Sequence, residues 1–198
     1  EAIIAAQAAL DVYREQARAR PDAFLPDLAR ALNNLGGRMS ELGKREEAEV
    51  ATRESVQVRR ELAQMSPDAF LPDLAMSLLN RGGILGELGR REEAESATRE
   101  AFEVYEGLAK ARPDAYLPKL AGSLNNLGAL LSELGRREEA EAATREALEI
   151  YRGLAKARPD AFLPYVAQSL GDHGPPMTRR NLIRTIDHIL REIHRTTN

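Results

Sequence analysis

The sequence predicts an all-α fold built from repeated helix pairs. Two observations support this prediction. The segment Pro-Asp-Ala-aromatic-Leu-Pro recurs every 46 residues, beginning at Pro21, Pro67, Pro113 and Pro159. Residues 67–112 and 113–158 are identical at 34 of 46 positions. Self-similarity at a period of this length is typical of solenoid proteins, in which each unit packs against its neighbours.

Counting by this period divides the chain into six segments. They are a half unit with helix B only (residues 1–20), three full units (21–66, 67–112 and 113–158), a truncated fourth unit with a linker (159–176) and a C-terminal amphipathic helix (177–198). The prolines Pro175 and Pro176 are expected to stop the first helix of the fourth unit.

The first helix of each unit, helix A, is marked in the third unit by a leucine face. The leucines stand at positions 120, 124, 127, 131 and 134, which are spaced as one side of an α-helix. Gly135, like Gly43 and Gly89, is expected to end the helix because glycine enters the left-handed conformation without steric cost. Gly128 and Ala140 lack bulk, so helix A and the following helix are expected to approach closely there.

A second helix, helix B, is expected to follow over about 20 residues. Glu138 and Glu139 fall in its first turn, where carboxylates complement the helix dipole. An alanine-rich stripe beginning at Ala140 predicts its buried face. Pro159 and Pro164 are expected to end helix B and to fix the turn into the next helix A.

This pattern resembles the tetratricopeptide repeat family. The third unit carries the family positions as Leu124, Leu127, Gly128, Leu131, Gly135, Ala140 and Ala147. The first unit departs from the pattern at Ser55 and the second at Arg81. The sequence around Asn125 and Glu138 looks most like that of the long-period subclass found in kinesin light chains and in many bacterial arrays. The resemblance implies a right-handed solenoid of antiparallel helix pairs whose inner, concave wall is built by helix A.

Composition narrows the function classes. The chain has 28 basic and 31 acidic residues, a net charge of -3 and no cysteine. This balance gives no global attraction to nucleic acid or to an anionic membrane, and no apolar stretch approaches the length of a membrane span. We therefore expect a cytoplasmic protein with neither nucleic acid nor membrane among its partners; the lack of cysteine fits that compartment.

Residues that could support catalysis are few. The imidazoles are His173, His188 and His194, and their spacing is not that of ligands on one helix face. Carboxylate pairs such as Glu46–Glu47 recur in every unit, which favours a role at helix starts. The pair Gly36–Gly37 is not followed by the Lys-Ser or Lys-Thr of a phosphate loop. We expect no enzyme activity, no metal and no cofactor.

The candidate site is the groove that helix A lines in this family. The matching positions are Arg30, Asn33, Asn34 and Ser40 in the first unit, Met76, Leu79, Asn80 and Glu87 in the second, and Gly122, Asn125, Asn126, Ser132 and Glu133 in the third. Asparagine is a poor helix former, so its repetition within helix A calls for a reason. Its amide could hydrogen-bond the backbone of an extended peptide, or it could bond to the neighbouring helix A and set the stacking angle. Each alternative could hold for a different member of the Asn-Asn pair.

The two ends leave further alternatives open. The N-terminus aligns with the interior of helix B, and Ile3 and Ile4 make that edge apolar, so either the chain is cut from a longer array or a partner covers the edge. Near the C-terminus, an apolar stripe predicts an amphipathic helix; it consists of Ile183, Ile186, Leu190 and Ile193. This helix could cap the repeats, self-associate or dock elsewhere, or contact nucleic acid or membrane through its arginines.

These observations predict a non-catalytic scaffold that binds a partner peptide or helix in the concave groove. One alternative is a homo-oligomeric assembly element that uses exposed repeat edges or the C-terminal helix. Another is the sensor array of a larger signalling protein.

Overall fold

The computed structural model describes residues 2–172 and residue 191, and this part of the chain is helical throughout its regular structure. The helices are α1 (Ala2–Ala19), α2 (Pro21–Glu41), α3 (Arg45–Met65), α4 (Pro67–Glu87), α5 (Arg91–Ala111), α6 (Pro113–Glu133), α7 (Arg137–Ala157) and α8 (Pro159–Asp172). Even-numbered helices correspond to helix A and odd-numbered helices to helix B. The predicted all-α class built from repeated helix pairs is confirmed. The stripe predicted at Ile183, Ile186, Leu190 and Ile193 lies outside the described residues.

The chain forms two compact units, Glu1–Val104 and Tyr105–Asn198. In the first unit α2 packs against α1 and α3, and α3 packs against α4. In the second unit α7 packs against both α6 and α8. Within each unit, a helix therefore packs chiefly against its neighbours in the sequence, as the repeat predicts.

Helix A begins earlier than the leucine pattern predicts. The third copy starts at Pro113 rather than at Leu120, and the fourth starts at Pro159, so these prolines open helix A. Proline is tolerated at the first helical position because its missing N–H would have no partner there. Pro118 and Pro164 lie inside the helix, one turn later, where each removes one backbone hydrogen bond. The prediction that these inner prolines form the turn was wrong.

The predicted glycine stops are confirmed. Gly43, Gly89 and Gly135 have φ values of 75°, 74° and 77° and follow α2, α4 and α6. After α2, the Gly43 N–H donates to the Ser40 carbonyl and the Lys44 N–H donates to the Met39 carbonyl, both at 2.8 Å. These are the paired bonds of a Schellman ending, which satisfy the last carbonyls of the helix.

The close approach predicted at Gly128 is confirmed, and the contact includes a threonine. A Cβ at Gly128 would lie 3.3 Å from the Ala140 carbonyl oxygen and 2.7 Å from Thr144 Oγ1. The Thr144 hydroxyl donates to that same carbonyl at 2.9 Å. Gly82 meets Ala94 and Thr98 in the same way. Glycine is required here because a side chain would drive the two helix axes apart.

An arginine covers the aromatic ring at the start of helix A in three of the four copies. The Arg20, Arg112 and Arg158 guanidiniums lie 4.9, 5.0 and 5.0 Å from the centroids of the rings four residues later. At the start of α4 the equivalent position is Ser66. Such cation–π contacts stabilise a fold by about 0.5–1 kcal/mol at exposed sites.

We predict that Ser66→Arg stabilises the first unit by about 0.5–1 kcal/mol, because it places a guanidinium over Phe70. Chemical denaturation followed by circular dichroism measures the gain. Ser66→Gln, which adds length without charge, serves as the control. Equal stability of the two variants would contradict the cation–π explanation.

Tyr151 lies in the core of the second unit. It is 3 % exposed, and its ring stacks on that of Tyr165 at a centroid distance of 5.2 Å. Burial, with a smaller contribution from Tyr165, raises the pKa of Tyr151 to about 12. The folded chain therefore favours the neutral phenol, and the stabilisation is complete below the ordinary tyrosine pKa of about 10.

We predict that the second unit loses stability as the pH rises from about 10 through about 12, by on the order of 2 kcal/mol after allowance for solvent screening. The unfolded chain releases the Tyr151 proton in that window, whereas the folded chain retains it. The measurement is the free energy of unfolding of wild type and Tyr151→Phe at pH 8 and at pH 11.5. A difference between the two proteins that stays constant with pH would refute the prediction.

Candidate functional site

The first unit contains a cavity of about 780 Å³ between α2 and α4. From α2 it is lined by Asn33, Asn34, Gly37, Arg38, Ser40 and Glu41. From α4 it is lined by Leu79, Asn80, Gly83, Ile84 and Glu87. The structure thus brings together six positions named from the sequence: Asn33, Asn34, Ser40, Leu79, Asn80 and Glu87. We refer to this cavity as the α2–α4 groove.

The two asparagines of the first unit have different environments. Asn33 is 9 % exposed, and its Oδ1 accepts hydrogen bonds from the Ser77 hydroxyl and from Asn80 Nδ2, each at 3.1 Å. Asn34 is exposed and makes no hydrogen bond to a side chain within the described part of the chain. Asn33 therefore links α2 to α4, whereas Asn34 presents its amide to the groove.

The second unit repeats the link between helices. Asn125 donates from Nδ2 to Ser169 Oγ at 2.9 Å, which joins α6 to α8. Asn126 and Ser132 are exposed on α6. Cross-helix bonding, one of the two roles open for asparagine at the sequence level, is thus present in both units.

The groove carries charges of both signs. The Ser40 hydroxyl and Arg45 Nε donate to Glu87 Oε2 at 2.7 and 3.2 Å. Arg38 and Glu41 are exposed and form no ion pair with any residue that the structure describes. The groove therefore offers one uncompensated cation and one uncompensated carboxylate to a ligand.

Two glycines lie on the groove surface without any packing reason within the described chain. A Cβ at Gly37 or Gly83 would meet nothing within 4 Å, in contrast to the preceding Gly36 and Gly82, which face α3 and α5. Glycine inside a helix destabilises it by about 0.5–1 kcal/mol relative to alanine. These two glycines leave bare backbone on the groove surface, where another backbone could approach closely.

Two residues named in the first two repeats do not line the groove. Arg30 is exposed and forms an ion pair with Asp27 on its own helix; hydrogen bonding to Asp27 raises the pKa of Arg30. Met76 is 39 % exposed.

Sequence reasoning missed a buried polar layer behind the groove. Arg59 is 3 % exposed and donates from Nη1 to Ser77 Oγ at 2.6 Å and to the Asp73 carbonyl. The Ser55 hydroxyl donates to the Ala29 carbonyl at 2.8 Å. A buried cation needs such partners because an unpaired one would be strongly destabilising.

The clue to this layer was a departure from the repeat. Ser55 stands where the later units have Ala101 and Ala147, and Arg59 stands where they have Tyr105 and Tyr151. The departure noted at Arg81 has a similar explanation. Arg81 Nη2 donates to Glu49 Oε1 at 3.0 Å, and the Glu49 side chain is 3 % exposed.

Within the described ranges, no group of three or more His, Cys, Asp or Glu residues is placed to hold a metal ion. His173, His188 and His194 lie outside those ranges. No helix in the described part is both long and apolar enough to cross a membrane.

These features define a helical-repeat protein whose helix A surfaces form a polar groove. The model of the family described as Tetratricopeptide repeat matches residues 28–66, 74–111 and 120–157, more than half of the chain. The chain belongs to the tetratricopeptide repeat family. Proteins built on this repeat generally mediate protein–protein interactions, commonly as non-catalytic scaffolds.

A comparison with one solved structure supports the fold. The crystal structure of BtubC (BKLC) from P. vanneervenii matches with a TM-score of 0.64 and 20 % identity, covering 98 % of this chain and 72 % of that chain. The MamA RS-1 ArsTM double mutant matches with a TM-score of 0.49 and 15 % identity, covering 98 % of this chain and 87 % of that one. No curated protein matches the sequence.

We predict that the two asparagines of the first unit respond differently to truncation. Asn33→Ala should destabilise the first unit by about 1–2 kcal/mol, because Ser77 and Asn80 lose their shared acceptor. Asn34→Ala should leave stability equal or raise it by a few tenths of a kcal/mol, because alanine is the better helix former. Thermal and urea unfolding of both variants distinguish the two roles; equal effects would contradict the assignment.

Proposed function

We propose that the protein is a non-catalytic scaffold that binds a partner segment in the α2–α4 groove, as an extended peptide. The amides of Asn34 and Asn80 supply donors and acceptors for the peptide backbone. The half-buried Leu79 supplies an apolar contact, and Arg38 and Glu41 supply charges for side chains of the ligand.

The observation that carries this proposal is the coincidence of exposed amides with unexplained glycines on one surface. Gly37 and Gly83 weaken their helices and relieve no crowding within the described chain. Their position beside Asn34 and Asn80 is accounted for if a peptide backbone lies against the helix surface. A largely preformed groove also limits the entropy lost on binding.

The other proposed properties rest on composition and on the repeat. We propose a cytoplasmic location, which the absence of cysteine fits, and a bacterial setting, which the resemblance to long-period bacterial arrays favours. The net charge of -3 supports a protein partner over nucleic acid or an anionic membrane. By the same proposal, the exposed residues Asn126 and Ser132 of α6 contact the partner in the second unit.

The binding test uses a phage-displayed library of random dodecapeptides panned against the full chain. Selected peptides are titrated by fluorescence polarisation against wild type and Asn34→Ala/Asn80→Ala. The double variant should lose most of the affinity, whereas Gln57→Ala, which removes an exposed amide on α3 outside the groove lining, controls for general effects. Peptides that bind all three proteins equally would place the binding surface elsewhere.

We predict that Gly37→Ala and Gly83→Ala have opposite effects on stability and on binding. Each should stabilise the first unit by about 0.5–1 kcal/mol through helix propensity. Each should weaken peptide binding by about tenfold, because the new methyl group stands where the ligand backbone lies. The measurements are urea unfolding and the same peptide titration.

The matched control for these variants is Gly107→Ala. A Cβ at Gly107 also meets nothing within 4 Å, and Gly107 lies on α5 and is not one of the residues that line the α2–α4 groove. It should stabilise its helix to a similar degree and leave peptide binding unchanged. Undiminished binding by Gly37→Ala and Gly83→Ala would refute the proposed path of the ligand.

A measurement of the mass in solution distinguishes self-assembly from ligand binding in the groove. Light scattering is applied to the full chain and to a chain that ends at Gly174. A full chain that dimerises while the shortened chain stays monomeric would assign assembly to residues 175–198. Monomers in both cases favour the groove as the functional surface.

A further inference from the structure

A chain of hydrogen bonds runs from the buried layer on α3 to the α2–α4 groove. Arg59 Nη1 donates to Ser77 Oγ at 2.6 Å, and the Ser77 hydroxyl donates to Asn33 Oδ1 at 3.1 Å. Asn80 Nδ2 donates to the same oxygen at 3.1 Å. Four side chains thus connect a buried cation to two amides that line the groove.

The direction of this chain follows from the chemistry of its first member. A guanidinium has only donors and stays charged. Ser77 therefore accepts from Arg59 and has its own proton available for Asn33. A buried positive charge also favours the negative end of a nearby amide dipole, which turns the oxygen of Asn33 towards Ser77.

Two groups remain for a ligand when the amides point this way. Asn80 donates one N–H of its amide to Asn33. Its Oδ1 is an acceptor without a partner among the described residues. Asn33 has its oxygen engaged, so its Nδ2 is the donor that remains at the groove. In an extended strand the N–H and C=O of one residue point to the same side, so one ligand residue could bond to both.

The second unit provides an internal comparison that lacks the arginine. The positions of Asn33, Ser55, Arg59 and Ser77 are there occupied by Asn125, Ala147, Tyr151 and Ser169. Asn125 Nδ2 donates to Ser169 Oγ at 2.9 Å, and the Ser169 hydroxyl donates to Asn125 Oδ1 at 3.3 Å. Where a neutral tyrosine replaces the guanidinium, the asparagine thus bonds to the serine through both amide atoms, with the nitrogen at the shorter distance, whereas Asn33 bonds to Ser77 through its oxygen alone.

We propose that Arg59 is a positioning residue that fixes the amide direction of Asn33, so that the α2–α4 groove presents an acceptor at Asn80 and a donor at Asn33. The groove then selects an extended peptide residue whose N–H is free to bond. This inference rests on the proposed function for its ligand, whereas the amide direction itself is measurable without one.

The experiment is side-chain amide NMR on the full chain. In wild type, a through-hydrogen-bond coupling should join Asn80 Nδ2 to the Asn33 carbonyl carbon. In Arg59→Tyr/Ser55→Ala, which installs the residues of the third repeat, this coupling should vanish. Exchange of the Asn80 side-chain amide should then accelerate about fivefold to tenfold, as expected for the loss of one hydrogen bond.

Two further variants distinguish an effect of Arg59 on the amide direction of Asn33 from an effect on packing. Arg59→Lys keeps a buried donor-only cation and should retain the coupling. The reciprocal double variant Tyr151→Arg/Ala147→Ser should turn Asn125, so that its oxygen alone bonds to the Ser169 hydroxyl and its nitrogen no longer donates to Ser169. An Asn33 that keeps its direction without Arg59, or an Asn125 that does not turn in the reciprocal variant, would overturn the inference.

The role of the groove in ligand binding is tested with two probes. One is acetyl-alanine-N-methylamide, and the other is its analogue methylated on the alanine nitrogen, which lacks the alanine N–H. Wild type should show larger shifts of the Asn80 side-chain amide with the first probe, and Arg59→Tyr/Ser55→Ala should lose the preference. A changed amide direction with no preference between the probes would sustain the role of Arg59 in orientation. It would overturn the proposed use of the groove.

Discussion

The close contact between helix A and helix B is the constraint on which the rest of the fold depends. At Gly128 the two helices approach until a Cβ would meet the carbonyl of Ala140 at 3.3 Å, and Gly82 and Gly36 repeat the contact. This spacing allows the threonine hydroxyl to bond within its own helix while its side chain fills the gap. Because each pair is fixed at its centre, the remaining freedom lies in how one helix A meets the next.

That second contact is set by polar groups. Asn33 and Ser77 join α2 to α4, and Asn125 and Ser169 join α6 to α8. Leucine layers bury area but tolerate sliding, whereas a buried hydrogen bond between side chains is satisfied in only one register. The asparagines therefore weaken the helix locally and specify the stacking of helix A, and the groove surface inherits its geometry from that register.

The sequence predicted the helix pairs, their glycine stops and their close contact, because each depends on residues within one period. It misplaced the start of helix A, since Pro113 at the first position and Pro118 one turn later follow opposite rules. The sequence identified the asparagines as candidates but could not show which of them bond to the neighbouring helix A and which face the groove. That division depends on which residue of a neighbouring helix stands opposite, and the partners of Asn33 are 44 and 47 positions away.

Because the repeats are so similar, the residues that distinguish one repeat from another are those that depart from the repeat pattern. The second and third repeats share 34 of 46 residues, so discrimination between ligands must come from positions where the repeats differ. Arg59 and Ser55 are such positions, and both are buried. A buried charge has a long reach in a medium of low polarity, and a relay through Ser77 and Asn33 brings its effect to the surface as the direction of an amide. Duplicated repeats can thus acquire different ligand preferences through the interior as well as through the exposed residues of helix A.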